Sequence, residues 1–114
     1  MKVVSMVLAG VLAAEFVSFG TAKLAAVASM RKRAAHFGYS TAAYRGIGAL
    51  EIAAAGGVLI GLTHPPIGVA AGIGLALLMA GAVAAHVRNG DGVPEFAPAA
   101  GTGLVALGYL ATLS

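Results

Sequence analysis

Cysteine is absent from the sequence. That one absence removes disulfides, iron–sulfur clusters, thiolate metal sites and dithiol relays, so any redox role needs a bound electron carrier. Charge is the second scarcity: Asp, Glu, Lys and Arg make up 10% of the 114 residues, against roughly 25% in an ordinary soluble domain. A soluble globule is therefore excluded. Only four residues are acidic, which leaves a net charge of +3. The basic residues gather beside an apolar run and read as a topology signal or a contact with anionic lipid, so no nucleic-acid partner is expected.

What remains is apolar. The chain is 60% hydrophobic with a mean hydropathy of +0.95. A helix needs ~20 predominantly apolar residues to cross the hydrocarbon core. The length therefore allows four spans with short connections and no separate soluble domain, and residues 1–114 are expected to form one transmembrane domain. The fold class expected is all-α, an integral membrane four-helix bundle with spans near 3–27, 44–62, 67–87 and 96–113. A signal peptide ending at Ala14 would put Leu12 where a small residue is preferred, so the first run is read as a retained span.

Between the first two spans lies a polar stretch with cations, aromatics and turn formers. A short interfacial helix is expected there from Met30 to Phe37, ended by Gly38. Pro65 and Pro66 cannot continue the second span, so Thr63 to Pro66 reads as a tight turn. Arg31, Lys32, Arg33, Arg45 and Arg88 flank one side of the bundle, opposed on the other by Lys2 alone. That bias predicts cytoplasmic loops at 28–43 and 88–95. Gly57 and Gly61, and Gly68 and Gly72, are spaced by four and predict close helix contact.

Ionisable residues inside the spans carry the functional signal, because each costs at least ~2.5 kcal/mol to insert. At 1.5 Å per residue, Glu15 falls about midway along the first span, while Lys23, Glu51 and His86 fall in the cytoplasmic halves of three different helices. Lys23 and Glu51 are expected to pair; the competing reading has Lys23 snorkelling to the interface. Glu15 is expected to face an internal cavity, either as a proton donor or as an interhelical hydrogen-bonding group. His36, His64 and His86 are scattered without ligand-pair spacing, and no metal site is expected.

Three elements together resemble the DoxX-like family of small four-helix membrane proteins: Phe19-Gly20-Thr21-Ala22-Lys23-Leu24, Ile47-Gly48-Ala49-Leu50-Glu51-Ile52, and Ala85-His86-Val87-Arg88-Asn89-Gly90-Asp91. His36-Phe37-Gly38-Tyr39 is also similar to the family's segment between its first two helices, whereas Glu15 lies outside the general pattern. The resemblance implies a membrane subunit of a quinone-linked oxidoreductase, with quinone as the cofactor. Beside it stand two readings. One is a cofactor-independent isomerase, cyclase or epoxide-opening enzyme acting on a lipid or terpenoid; the other is a non-catalytic anchor or assembly subunit. The candidate catalytic residues are Glu15, Glu51 and His86, and the candidate substrate-binding residues are Lys23 and His36. The partners expected are membrane lipid, an apolar small molecule or quinone, and a protein partner or second copy of the chain.

Overall fold

The computed structural model describes residues 2–113 as five helices: α1 (Lys2–Leu24), α2 (Ala28–His36), α3 (Thr41–Ile60), α4 (Pro65–Arg88) and α5 (Val93–Leu113). Four of them, α1, α3, α4 and α5, are long and apolar enough to cross a membrane. They form a helical membrane bundle in which α1 and α4 each pack against both α3 and α5. Leu50, Leu77 and Leu104 point away from the bundle, more than 60% exposed. They form part of the apolar surface that meets lipid.

The helix ends follow local chemistry. Leu24 ends α1 three residues earlier than hydropathy predicts, because the backbone turns at Ala26 with φ of 50°. Ala26 donates its N–H to the Lys23 carbonyl and Val27 donates to Ala22. This is a Schellman closure with a non-glycine residue at the left-handed position. Apolar content carries no trace of such a stop. The same closure ends α2 at Gly38, where the sequence signal is visible, and ends α4 at Gly90. Ser40 caps α3, its hydroxyl accepting from the Ala43 N–H at 3.0 Å. The two prolines do not form the turn; they occupy the first turn of α4, where a missing N–H costs no helix bond. Pro94 likewise sits in the first turn of α5, which begins three residues before the expected span.

One end of the bundle is closed by small residues. A side chain at Gly61 would collide with Gly68, and one at Gly57 would meet Ala71 Cβ at 2.7 Å. The close approach of α3 and α4 predicted from their glycines is present. Tyr109 fills the space beside Gly61 and Gly68, and its hydroxyl donates to the Val58 carbonyl at 2.6 Å. That carbonyl needs a partner, because Leu62 donates to Leu59 instead. Buried Leu12, Phe16, Ala55, Leu75 and Ala106 complete this core. The other end of the bundle is open.

Candidate functional site

A cavity of about 890 Å³ occupies the half of the bundle that α2 overlies, and all five helices line it. Its position follows from a second glycine contact. Where α1 crosses α3, a Cβ on Gly20 would lie 2.8 Å from the Gly48 carbonyl oxygen, and one on Gly48 would lie 2.7 Å from the Gly20 carbonyl oxygen. Only glycine at both positions allows this crossing. Lys23 and Glu51 each follow their glycine by three residues, which places them on the contacting face of their own helix.

Their side chains meet there. Lys23 Nζ donates to Glu51 Oε1 at 2.6 Å, with side-chain exposures of 11% and 2%. The Lys23 ammonium also lies 5.1 Å from the centre of the Tyr44 ring. The lysine turns inward to its carboxylate and ring rather than outward to the interface. A pair in low dielectric attracts strongly, and breaking it strands a buried charge.

Glu15 lines the same cavity more deeply, opposite α5. Thr102 donates its hydroxyl to Glu15 Oε2 at 3.0 Å. Phe16, Phe19, Met79, Ala82, Pro98 and Ala99 supply apolar wall between this point and the Lys23–Glu51 pair. Pro98 lies inside α5 and has no N–H to donate to the carbonyl four residues earlier, which interrupts the α5 ladder beside the cavity.

His86 does not join the Lys23–Glu51 pair. Its Nδ1 lies 2.7 Å from Asp91 Oδ2, and His36 Nε2 lies 2.9 Å from the same oxygen. The local cause is the turn at Gly90: its positive φ carries Asp91 back over the last turn of α4, where the Asp91 N–H reaches the His86 carbonyl. Asn89 adds a bond from its side-chain amide to the His36 carbonyl at 2.7 Å. These contacts fasten the end of α2 to the α4–α5 turn. Hydrogen bonds from His36 and then His86 hold the Asp91 carboxyl below its usual range. Lys32 and Arg33 also border the cavity, and the Arg33 guanidinium lies 6.0 Å from the Phe19 ring centre.

All five candidate residues, Glu15, Lys23, His36, Glu51 and His86, thus border one cavity. Asp91 and Thr102 were missed as partners. Asp91 had a readable signal, a glycine one residue before it at a helix end; Thr102 is a lone hydroxyl in an apolar span and had none. Among the described residues, no three His, Asp or Glu side chains are arranged to hold a metal ion.

Four spans enclosing a cavity with ionisable walls define a helical membrane protein. The chain belongs to the DoxX-like family, whose model matches residues 7–111. No curated protein and no solved structure matches it.

Proposed function

We propose that the chain is a membrane subunit of a quinone-linked oxidoreductase that binds a quinone headgroup among α1, α3, α4 and α5. The observation that carries this reading is the cavity itself. Its volume of about 890 Å³ falls within the range of small-molecule sites, roughly 300–1,000 Å³. Most of its wall area is apolar, and polar or charged side chains from all five helices interrupt it. A quinone ring suits apolar walls, and its two oxygens accept hydrogen bonds. Lys23, Tyr44 and Thr102 are among the hydrogen-bond donors that line the cavity. The bound group would supply the electron chemistry; the chain's residues bind it, orient it and handle protons. The basic flank supports an orientation with the Lys32 and Arg33 side toward the cytoplasm and loops 28–43 and 88–95 on that side.

The test is quantitative extraction. Protein purified in mild detergent is expected to carry quinone at a fixed ratio to the chain. Ala82→Trp and Ala99→Trp, which fill the cavity from two helices, are expected to lose most of it while retaining helical content. Equal quinone in the wild type and both filled variants would overturn the proposal.

A second reading is favoured by one contact. A carboxyl with a hydroxyl partner, facing an apolar cavity deep in the bundle, suits protonation of an epoxide or alkene in a lipid or terpenoid. Glu15 is then the acid, with Glu51 or His86 accepting the proton afterwards. This reading expects turnover of an apolar substrate with no added cofactor.

A further inference from the structure

Asp91 holds two histidines, and only one ring nitrogen of each is committed to it. A carboxylate accepts hydrogen bonds and donates none. The proton in the 2.7 Å contact therefore sits on His86 Nδ1. In the neutral ring that leaves Nε2 as the lone-pair nitrogen. His86 Nε2 makes no hydrogen bond among the described residues, and the His86 ring borders the cavity. Phe37 packs edge-on to that ring at 4.8 Å between centres, which fixes its orientation. A carboxylate that holds one imidazole nitrogen sets the tautomer and leaves the other nitrogen as the acceptor.

We infer that the Asp91–His86 pair is a proton acceptor for an acidic hydroxyl group on a ligand in the cavity, of the kind carried by a phenol, a hydroquinone or an enol. His86 is the catalytic residue and Asp91 its positioning residue, held from the other side by His36. The inference rests on the cavity being a small-molecule site. The step is a proton transfer alone: the ligand O–H bond breaks, an N–H bond forms at Nε2, and the electron pair of the O–H bond stays on oxygen. Nothing is oxidised or reduced. The resulting imidazolium faces the Asp91 carboxylate, which is ionised at neutral pH because its hydrogen bonds hold the carboxyl below its usual range.

Other titratable groups also face the cavity and bear on an anion bound there: Glu15 from α1, Lys32, Arg33 and His36 from α2, Tyr44 from α3, Glu95 from α5, and the Lys23–Glu51 pair from α1 and α3. Arg88 lies two residues beyond His86 on α4. A test has to separate the His86 effect from theirs.

The probe is an octyl-substituted 4-nitrophenol, whose phenolate has its own visible absorbance, titrated with pH in the presence of purified protein in detergent. Bound probe is expected to ionise about one pH unit below probe in protein-free micelles, a tenfold shift. His86→Gln is expected to abolish most of that shift while still binding the probe. Asp91→Asn is expected to reduce it, and Asp91→Glu to recover part of it. In a Lys32→Gln/Arg33→Gln background, introducing His86→Gln is expected to cause the same further loss. Thermal melts followed by circular dichroism confirm that each variant is folded before it is scored. A bound probe whose midpoint is unchanged by His86→Gln overturns the proton-acceptor role and leaves the cavity reading standing. Probe that fails to bind, or that binds equally to Ala82→Trp and Ala99→Trp, overturns the cavity reading and this inference with it.

Discussion

At the scale of single residues, the Lys23–Glu51 contact carries the largest electrostatic stake in the bundle. Both side chains are nearly excluded from solvent, so Glu51→Gln or Lys23→Met alone leaves the opposite charge unpaired. Each is expected to destabilise the protein by about 3–5 kcal/mol. The double variant is expected to lose clearly less than the sum. A double-mutant cycle on thermal unfolding in detergent measures this, and additive losses would mean the two groups do not act as a pair. Glu15 poses a different question, because its partner is a neutral hydroxyl. Glu15→Gln keeps an oxygen that accepts from Thr102 and is expected to melt near the wild type. Glu15→Asp shortens the arm and is expected to melt earlier. If Glu15 donates a proton in catalysis, activity runs in the reverse order, with Asp partly active and Gln inactive. A fully active Glu15→Gln protein removes Glu15 from the chemistry. The sequence made Glu15, Lys23 and Glu51 legible because a charge inside an apolar run is energetically conspicuous. Asp91 was legible only through the glycine before it, because a carboxylate in a polar loop costs nothing to leave in water; the folded turn at Gly90 brings it to two histidines.

At the scale of helices, the α1–α3 crossing depends on two missing side chains. A methyl group at Gly48 would meet the Gly20 carbonyl oxygen and Lys23 Cβ, both at 2.7 Å. Backbone cannot yield as a flexible side chain can. Gly48→Ala is therefore expected to part the helices and cost about 1–3 kcal/mol. Gly46 lies on the same helix with nothing within 4 Å of a Cβ, so Gly46→Ala is expected to be neutral or to stabilise by up to about 1 kcal/mol. Melting temperatures of the two variants check the contrast; equal losses would place the cost in helix propensity rather than in the crossing. Ala26 offers the converse change, since it sits at φ of 50°, a conformation that costs roughly 1–2 kcal/mol for an L side chain. Ala26→Gly is expected to raise stability by about 0.5–1 kcal/mol, part of the gain being offset by the added freedom of glycine in the unfolded chain. A lower melting temperature would contradict it. Hydropathy located all four spans, since crossing a bilayer is a demand on length and composition. It misplaced the ends at Leu24 and Val93, because termini are decided by single hydrogen-bonded turns that average hydrophobicity does not register.

The molecule as a whole has two unlike ends. Gly57, Gly61, Gly68 and Tyr109 close one of them, and its connection at residues 61–64 carries no Lys or Arg. The other holds the cavity, α2 and the basic residues Arg31, Lys32, Arg33 and Arg88. Cations near span ends are retained in the cytoplasm, so the open, basic end is expected to face inward and the closed end outward, despite the mild opposing pull of Lys2. The absence of cysteine makes the measurement direct, because any introduced thiol is the sole one in the chain. Ser40 and Thr63 lie in connections at opposite ends and are both exposed. A cysteine at Thr63 is expected to react with a membrane-impermeant maleimide added to intact cells, and one at Ser40 only after the cytoplasmic side is opened to the reagent. Ser40 caps α3 through its hydroxyl, and the cap is worth about 1 kcal/mol, so the labelled variant must first be shown to melt as a folded bundle. The reverse labelling pattern would invert the orientation, and the cavity with its histidines would then open outward. The labelling result therefore also decides the compartment toward which the cavity opens.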